Sequence, residues 1–446
     1  MRKSLKKLVA MGLIATSVLS LTACGSSSSK NEGTNTPAAS QPAASGDKVS
    51  IRFSWWGGDT RHAATQEALK AFMKANPNVE VNMEYGSWDG WEKGMSTAFY
   101  GNTAPDVNQI NWNWISSFSS DGKLFVDLNT VSDVLDLTQF DQAALDQCKI
   151  GDSLQAVPVS MTGRIFYWNK TVFEKAGIAT PTTYEELLAA GKTFKDTLGD
   201  DYYPLALGEY DRMILMVYYL ESVYGKNWVE DGKLNYTEAE ITEGLKFIQK
   251  LEENHVIPTV AKLTGDGADS LDKNQNWIDG HYAGIFEWDS SASKFQKALD
   301  PAQNFELVVG DYFKDFGKYQ GGYTKVSLAF AITNGTKYTK ECAELLNFLL
   351  NEEEGVKLMS SERGIPLSKA ALEICKTNNL LDATVAEANG KVLDWCQFQL
   401  DPTFEDSKLK STDGVYYQAM QDLSYDNDVE GAAKTLVDGI NDILGN

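Results

Sequence analysis

Between residues 49 and 83 the chain switches periodicity twice, and this pattern limits the possible fold more than any other feature of the sequence. Val49, Ile51, Phe53 and Trp55 alternate with polar residues, as in a strand. From about Thr60, Ala64, Ala68, Leu69, Phe72 and Met73 recur at helical spacing until Asn76-Pro77 stops them, and Val79, Val81 and Met83 alternate again. A strand, helix, strand unit of this kind predicts parallel strands and a right-handed crossover. The first strand and the helix are joined by WWGGDTRH, residues 55–62. That turn lies at the carboxyl end of a parallel strand, the edge where open α/β sheets bind ligands. Gly57 and Gly58 admit a tight turn and Asp59 or Thr60 caps the helix, which leaves Trp55, Trp56, Arg61 and His62 around the turn. The third glycine of GxGxxG is missing, and Asp59 stands at the helix end that a pyrophosphate needs, so a nucleotide loop is disfavoured.

The arrangement recurs. Tyr85-Gly86-Ser87-Trp88-Asp89-Gly90-Trp91 follows the second strand, and a short strand through Val107 and Ile110 runs into Asn111-Trp112-Asn113-Trp114. Six of the eleven tryptophans therefore lie between Trp55 and Trp114, each near a strand-to-helix turn, whereas Trp168 and Trp395 sit in periodic stretches and read as core. A pyranose ring packs its C–H face on an aromatic plate and matches its hydroxyls to amides, carboxylates and guanidinium. Trp with Asn, Asp and Arg is that set, and the three loops predict part of a wall for a carbohydrate.

The amino terminus stands apart. Residues 1–23 have the form of a signal peptide: Arg2, Lys3, Lys6 and Lys7 precede an uncharged run from Leu8 to Leu21 that is short for a membrane span. Leu21-Thr22-Ala23-Cys24 resembles a bacterial lipobox, in which Cys24 takes up lipid. Residues 24–47 are poor in large apolar side chains and read as a flexible tether. Loss of four basic residues with the signal takes the net charge from −22 to −26. So acidic a surface excludes nucleic acid and a polybasic membrane patch, and leaves the lipid as the expected membrane contact. Cys148, Cys342, Cys375 and Cys396 form no CxxC; buried free thiols and disulfides are both compatible with their spacing.

The stretches SWWGGDTRH, EYGSWDGWEKGMSTAFYGNTAPDVNQINWNWI and FEKAGIATPTTYEELLAAGKTF resemble the extracellular sugar-binding lipoproteins of bacterial ABC importers, the maltose-binding-protein-like family. WWGG-D-RH followed by NWNW is similar to members that bind oligogalacturonides. The resemblance implies an α/β fold of the type II periplasmic-binding-protein class, with two lobes joined by a hinge around a ligand cleft. It places residues 48–157 and 318–365 in the first lobe and 158–317 and 366–446 in the second. Val157-Pro158 resembles the strand that leaves the first lobe, Arg164 to Asn169 the first strand of the second, Gly284 to Asp289 a strand ending at the cleft, and Gly321-Gly322-Tyr323 a returning hinge. The implied ligand contacts are Trp56, Asp59, Arg61, His62, Trp88, Asn111, Trp112 and Asn113 from the first lobe. From the second they are Arg164, Tyr167, Tyr210, Arg212, Trp288 and Asp289, with Gly322 and Tyr323 at the hinge. The implied partners are an oligosaccharide and ABC permease subunits, the protein acting as a monomer on the outer face of the cytoplasmic membrane.

The sugar can be acidic or neutral. An acidic one needs Arg61, His62, Arg164 or Arg212 in the cleft against a global field of the wrong sign, while arginine also binds neutral hydroxyls. A surface-anchored glycoside hydrolase is the alternative reading. It needs two opposed carboxyl groups, whereas Glu287 and Asp289 lie two apart on one strand, and HExxH, GxSxG and P-loop motifs are absent from the sequence. Asp272, Asn274 and Asn276 mimic the start of a calcium loop, but Trp277 and Ala283 replace the glycine and the bidentate glutamate, so no metal or other cofactor is expected.

Overall fold

The computed structural model describes residues 48–445 apart from Asp89, Asp231, Ala268 and Asp269. The expected signal segment, Cys24 and the tether to residue 47 lie outside the described residues. None of the described helices is long and apolar enough to cross a membrane.

β1 (Val49–Trp56) and β2 (Val79–Gly86) are parallel neighbours, in register from Val49 opposite Val79 to Trp56 opposite Gly86. α1 (Asp59–Ala75) joins them and buries Thr65, Ala68, Leu69 and Phe72. It ends where the periodicity predicts: the Asn76 backbone N–H and side-chain amide both donate to Phe72 O, at 2.9 and 3.0 Å, ahead of Pro77. α2 (Trp91–Tyr100) leads to β3 (Val107–Asn111), which pairs parallel with β1 through Phe53 opposite Val107.

The stretches that resemble the last strand of one lobe and the first of the other form a single strand, Val157–Asn169, of 13 residues. At the usual rise it is about 43 Å long. Its first half pairs antiparallel with Tyr323–Ile332, from Phe330 opposite Val157 to Thr324 opposite Gly163. Its second half pairs antiparallel with Gly284–Trp288 on one side and Leu307–Val309 on the other. Tyr323–Ile332 also pairs with β3, so one eight-stranded sheet runs from the first lobe into the second.

Apolar side chains gather in two large buried cores along this sheet and a small third cluster of Val356, Ala371 and Cys375. One draws on Val49 to Val159 and Val326 to Met359; the other on Ile165 to Tyr323 and Val385 to Ile440. Two segments sit on the opposite side from expectation. Residues 318–322 belong with the second core, because Tyr319 N–H donates to Ser222 O and Gly322 N–H to Glu221 Oε2. The helix Lys369–Thr377 packs with the first: Ala370 N–H donates to Gln139 Oε1, Lys369 pairs with Asp141, and Ala371 and Cys375 pack on Val356. Its apolar face matches the helix Glu353–Met359 beside it in sequence. Cys148, Cys342, Cys375 and Cys396 are free thiols. Asn274 caps the short helix Gln275–Ile278, and Asp272 pairs with Lys294.

Candidate ligand-binding cleft

The WWGGDTRH turn divides its side chains between interior and rim. Trp55 continues the inward face of β1 and is fully buried, stacked between Phe53 and Tyr85 at 5.4 and 4.8 Å. Its indole N–H donates to His62 Nδ1 at 3.1 Å. Burial lowers the His62 pKa, in keeping with a neutral ring that accepts there. Arg61 donates to Glu362 O at 2.9 Å and Trp56 O at 3.3 Å. Gly57 is required by this packing, since a Cβ there would lie 2.5 Å from Arg61 Cδ. Gly58, not Asp59 or Thr60, occupies the cap, and Asp59 is exposed in the first turn. Arg61 and His62 are thus committed to holding the turn, while half-buried Trp56 stacks near Trp88 at 5.1 Å and Trp114 at 5.5 Å.

The six tryptophans split in the same way. Trp55, Trp112 and Trp114 are packed inward, Trp112 donating to Gln147 O at 2.9 Å and Trp114 to Glu92 Oε1 at 3.2 Å. Trp56 and Trp91 are half-buried, and Trp88 is 40% exposed. Trp112 was expected at the ligand; alternation along NWNW instead turns it into the first core.

Residues from both lobes converge on Glu405, which sequence reasoning missed. Glu405 lies at the end of the 3-10 turn Pro402–Glu405 and is 2% exposed. Its Oε2 accepts from Asn111 Nδ2 at 2.7 Å, and its backbone O accepts from Asn113 Nδ2 at 2.9 Å. Oε1 accepts from Lys325 Nζ at 2.5 Å and lies 3.5 Å from the Tyr210 hydroxyl. Lys410 Nζ is 3.7 Å from Oε2. Burial alone would raise this carboxyl; Lys325 and Lys410 outweigh it and hold the pKa near about 2. Burial lowers Lys325 to about 8 in spite of Glu405. The pair is therefore ionised at neutral pH.

Each lysine also faces a tryptophan. Lys325 Nζ lies 4.6 Å from the Trp288 ring centroid and Lys410 Nζ 5.4 Å from that of Trp88. Arg164 lies over the same Trp288 ring at 4.7 Å and over Tyr210 at 5.6 Å. It pairs with Asp211 at 2.5 Å and Glu287 at 3.6 Å, and burial is more than offset by these carboxylates, so its pKa is raised. Its Nε and the Tyr323 hydroxyl are buried without a hydrogen-bond partner among the described residues.

Three expected contacts are structural in this arrangement. Arg212 is wholly buried, donating to Leu207 O, Pro258 O and Glu252, because it belongs to a helix, Glu209–Tyr224, buried on nearly all sides. Tyr167 is wholly buried with its hydroxyl 3.2 Å from Asp289 O. Asp289 accepts from Thr162 at 2.5 Å and Asn389 at 2.6 Å, and burial pushes its pKa up to about 6. Gly322 has φ +91°, the left-handed region that favours glycine, and ties the returning chain to Glu221; buried Tyr323 opens the strand that follows.

A family model for bacterial extracellular solute-binding proteins matches residues 67–404. A periplasmic oligogalacturonide binding protein from Yersinia enterocolitica, solved with saturated digalacturonic acid, is 34% identical with a TM-score of 0.84, covering 89% of this chain and 99% of that one. A periplasmic solute binding protein from Pectobacterium atrosepticum matches with the same identity, coverage and TM-score of 0.84. A binding protein of Brucella abortus is 23% identical over 315 residues, which is 68% of this chain and 72% of its own. Two α/β lobes strung on shared strands around a cleft, the type II periplasmic-binding-protein fold, agree with that match over most of the sequence, and the chain belongs to the bacterial extracellular solute-binding proteins.

Proposed function

We infer that the protein captures an oligosaccharide bearing uronic acid units, of the oligogalacturonide type, between its lobes and passes it to an ABC permease. In this reading a lipid on Cys24 tethers a monomer at the outer face of the cytoplasmic membrane. The observation that carries the ligand class is the Trp88 plate with the Lys410 ammonium 5.4 Å from its ring centre, beside a second plate, Trp288, flanked by the ion-paired Lys325 and Arg164. An aromatic plate takes the C–H face of a sugar, and a cation beside it takes a carboxylate on the ring. Similarity to a protein solved with digalacturonic acid supports the same class. Arg61 and Arg212, expected to meet the anion, have internal partners, so recognition falls to the groups around Glu405.

The test is a thermal-shift and calorimetric comparison of digalacturonate with the neutral disaccharide 4-O-α-galactosylgalactose. Digalacturonate at about a hundred times its dissociation constant stabilises the folded state by about 2.7 kcal/mol. Stabilisation by the neutral sugar alone would replace the uronate reading with a neutral-sugar receptor of the same fold. Product analysis in the same samples checks the reading against catalysis, and loss of labelled palmitate in Cys24→Ser checks the tether.

A further inference from the structure

The cations around the cleft differ in how far they are already engaged. Arg61 donates to two carbonyl groups, Arg164 is held between Asp211 and Glu287, Arg212 donates to Glu252 and two carbonyl groups, and Lys325 donates to Glu405 at 2.5 Å. Each is fixed by an internal acceptor, and none has its charge free without leaving a buried group behind. Lys410 is the exception in this cluster. Its ammonium has no hydrogen bond among the described residues; it stands 3.7 Å from a carboxylate that Lys325 already engages, and 5.4 Å from the centre of the Trp88 ring. It ends the short helix Ser407–Lys410, with its side chain 16% exposed. Trp88 beneath it is the most exposed of the tryptophans in the three loops. Glu405 serves two lysines with one carboxylate, and Lys410 is the more loosely held of the two. Burial raises the pKa of nearby Glu92, and Lys410 opposes that rise.

We propose that Lys410 determines specificity for acidic sugars, its ammonium binding the carboxylate of the uronate ring that packs on Trp88. The proposal rests on the uronate reading of the cleft. Lys410 comes from the second lobe and Trp88 from the first, so the carboxylate seat is complete only when the lobes meet. Four methylenes let the ammonium leave the ring face as a sugar arrives, whereas Lys325, buried and hydrogen-bonded, stays in place and anchors Glu405. Glu405 then orients Lys410.

The experiment compares wild type, Lys410→Gln and Lys410→Arg for binding of digalacturonate and 4-O-α-galactosylgalactose by isothermal titration calorimetry. Unliganded melting curves confirm folding. Lys410→Gln is expected to weaken digalacturonate by about 10- to 100-fold, the range for a hydrogen bond to a charged group, and to leave the neutral sugar within about two-fold. It also flattens the dependence of digalacturonate affinity on salt, and Lys410→Arg restores most of the binding. Unchanged digalacturonate affinity in Lys410→Gln, or an equal loss for both sugars, overturns the proposal while the uronate reading stands. Absence of digalacturonate binding to wild type overturns the uronate reading itself.

Discussion

Removing the Lys325–Glu405 pair whole should disturb the fold far less than removing either half. The Glu405 carboxyl falls from 4.5 to about 2, which corresponds to about 3 kcal/mol of stabilisation. Its folded pKa is depressed, so this contribution is present above the unfolded pKa and is lost as pH falls through about 2. Lys325 falls from 10.5 to about 8, a cost of about 3 kcal/mol. A depressed lysine has the opposite sense: the cost is full below about 8 and disappears as pH rises to the unfolded value. Near neutrality the two shifts oppose each other, the ordinary balance for a buried pair. Lys325→Met with Glu405→Leu should therefore lie within about 1 kcal/mol of wild type at pH 7, while each single change costs about 3 kcal/mol by stranding a buried charge. Asn111 keeps its bond to Asn113 Oδ1 at 2.7 Å in the double variant, so no buried amide is orphaned there. Urea unfolding followed by tryptophan fluorescence at pH 7 measures the four-variant cycle, and at pH 10 the single Glu405 change should cost less because Lys325 is then largely neutral. A double variant as unstable as the summed singles would refute the cancellation and with it the assignment of this pair to the cleft rather than to stability.

Other outcomes can be checked alongside. Trp56→Ala and Trp88→Ala should weaken sugar binding by about 2 kcal/mol in calorimetry while leaving the unliganded urea midpoint nearly unchanged. Trp112→Ala, which empties the first core, should lower stability by about 3–5 kcal/mol in the same urea titration. Arg212→Met should destabilise the protein by about 3 kcal/mol or more without altering the ratio of acidic to neutral sugar affinity, because it strands Glu252 and two carbonyl groups. Asp289 should titrate near about 6 by carbon-13 NMR, and since its folded pKa is raised, its contribution falls by up to about 3 kcal/mol as pH rises from its unfolded value through about 6.

Much of the first lobe was legible because periodicity there has one solution. Alternation along β1 puts Trp55 on the face of Val49, Ile51 and Phe53 and Trp56 on the other, and the two indoles separate that way, one fully buried and one half-buried. Asn111 and Asn113 stand out in the sequence as polar groups after a short strand, but their partner lies 294 and 292 residues along the chain, beyond any local pattern. Glu405 and Lys410 belong to a stretch of mixed charges, EDSKLKSTDG, that resembles a solvated surface loop; only the tertiary fold turns it against the first lobe. Arg212 misled for a related reason. It opens onto the run MILMVYYL, whose uniform apolarity marks a helix buried on nearly all sides and an arginine drawn in with it. The segment 366–381 shows the limit of boundaries inferred from landmarks, since a strand crossing says where the chain changes sides but not whether the next helix turns back.

The strand Val157–Asn169 runs unbroken through both cores, hydrogen-bonded to Tyr323–Ile332, and the pairing of the two slips around Ser327, between Val326 and Ala329. Such a pair behaves as a torsion bar more than as a swivel. Wide separation of the lobes would have to tear the ladder, whereas winding about the strand axis is absorbed at the irregular register. On the proposed receptor reading, stiffening the slip at Ser327 is expected to lengthen the residence time of whatever the lobes hold.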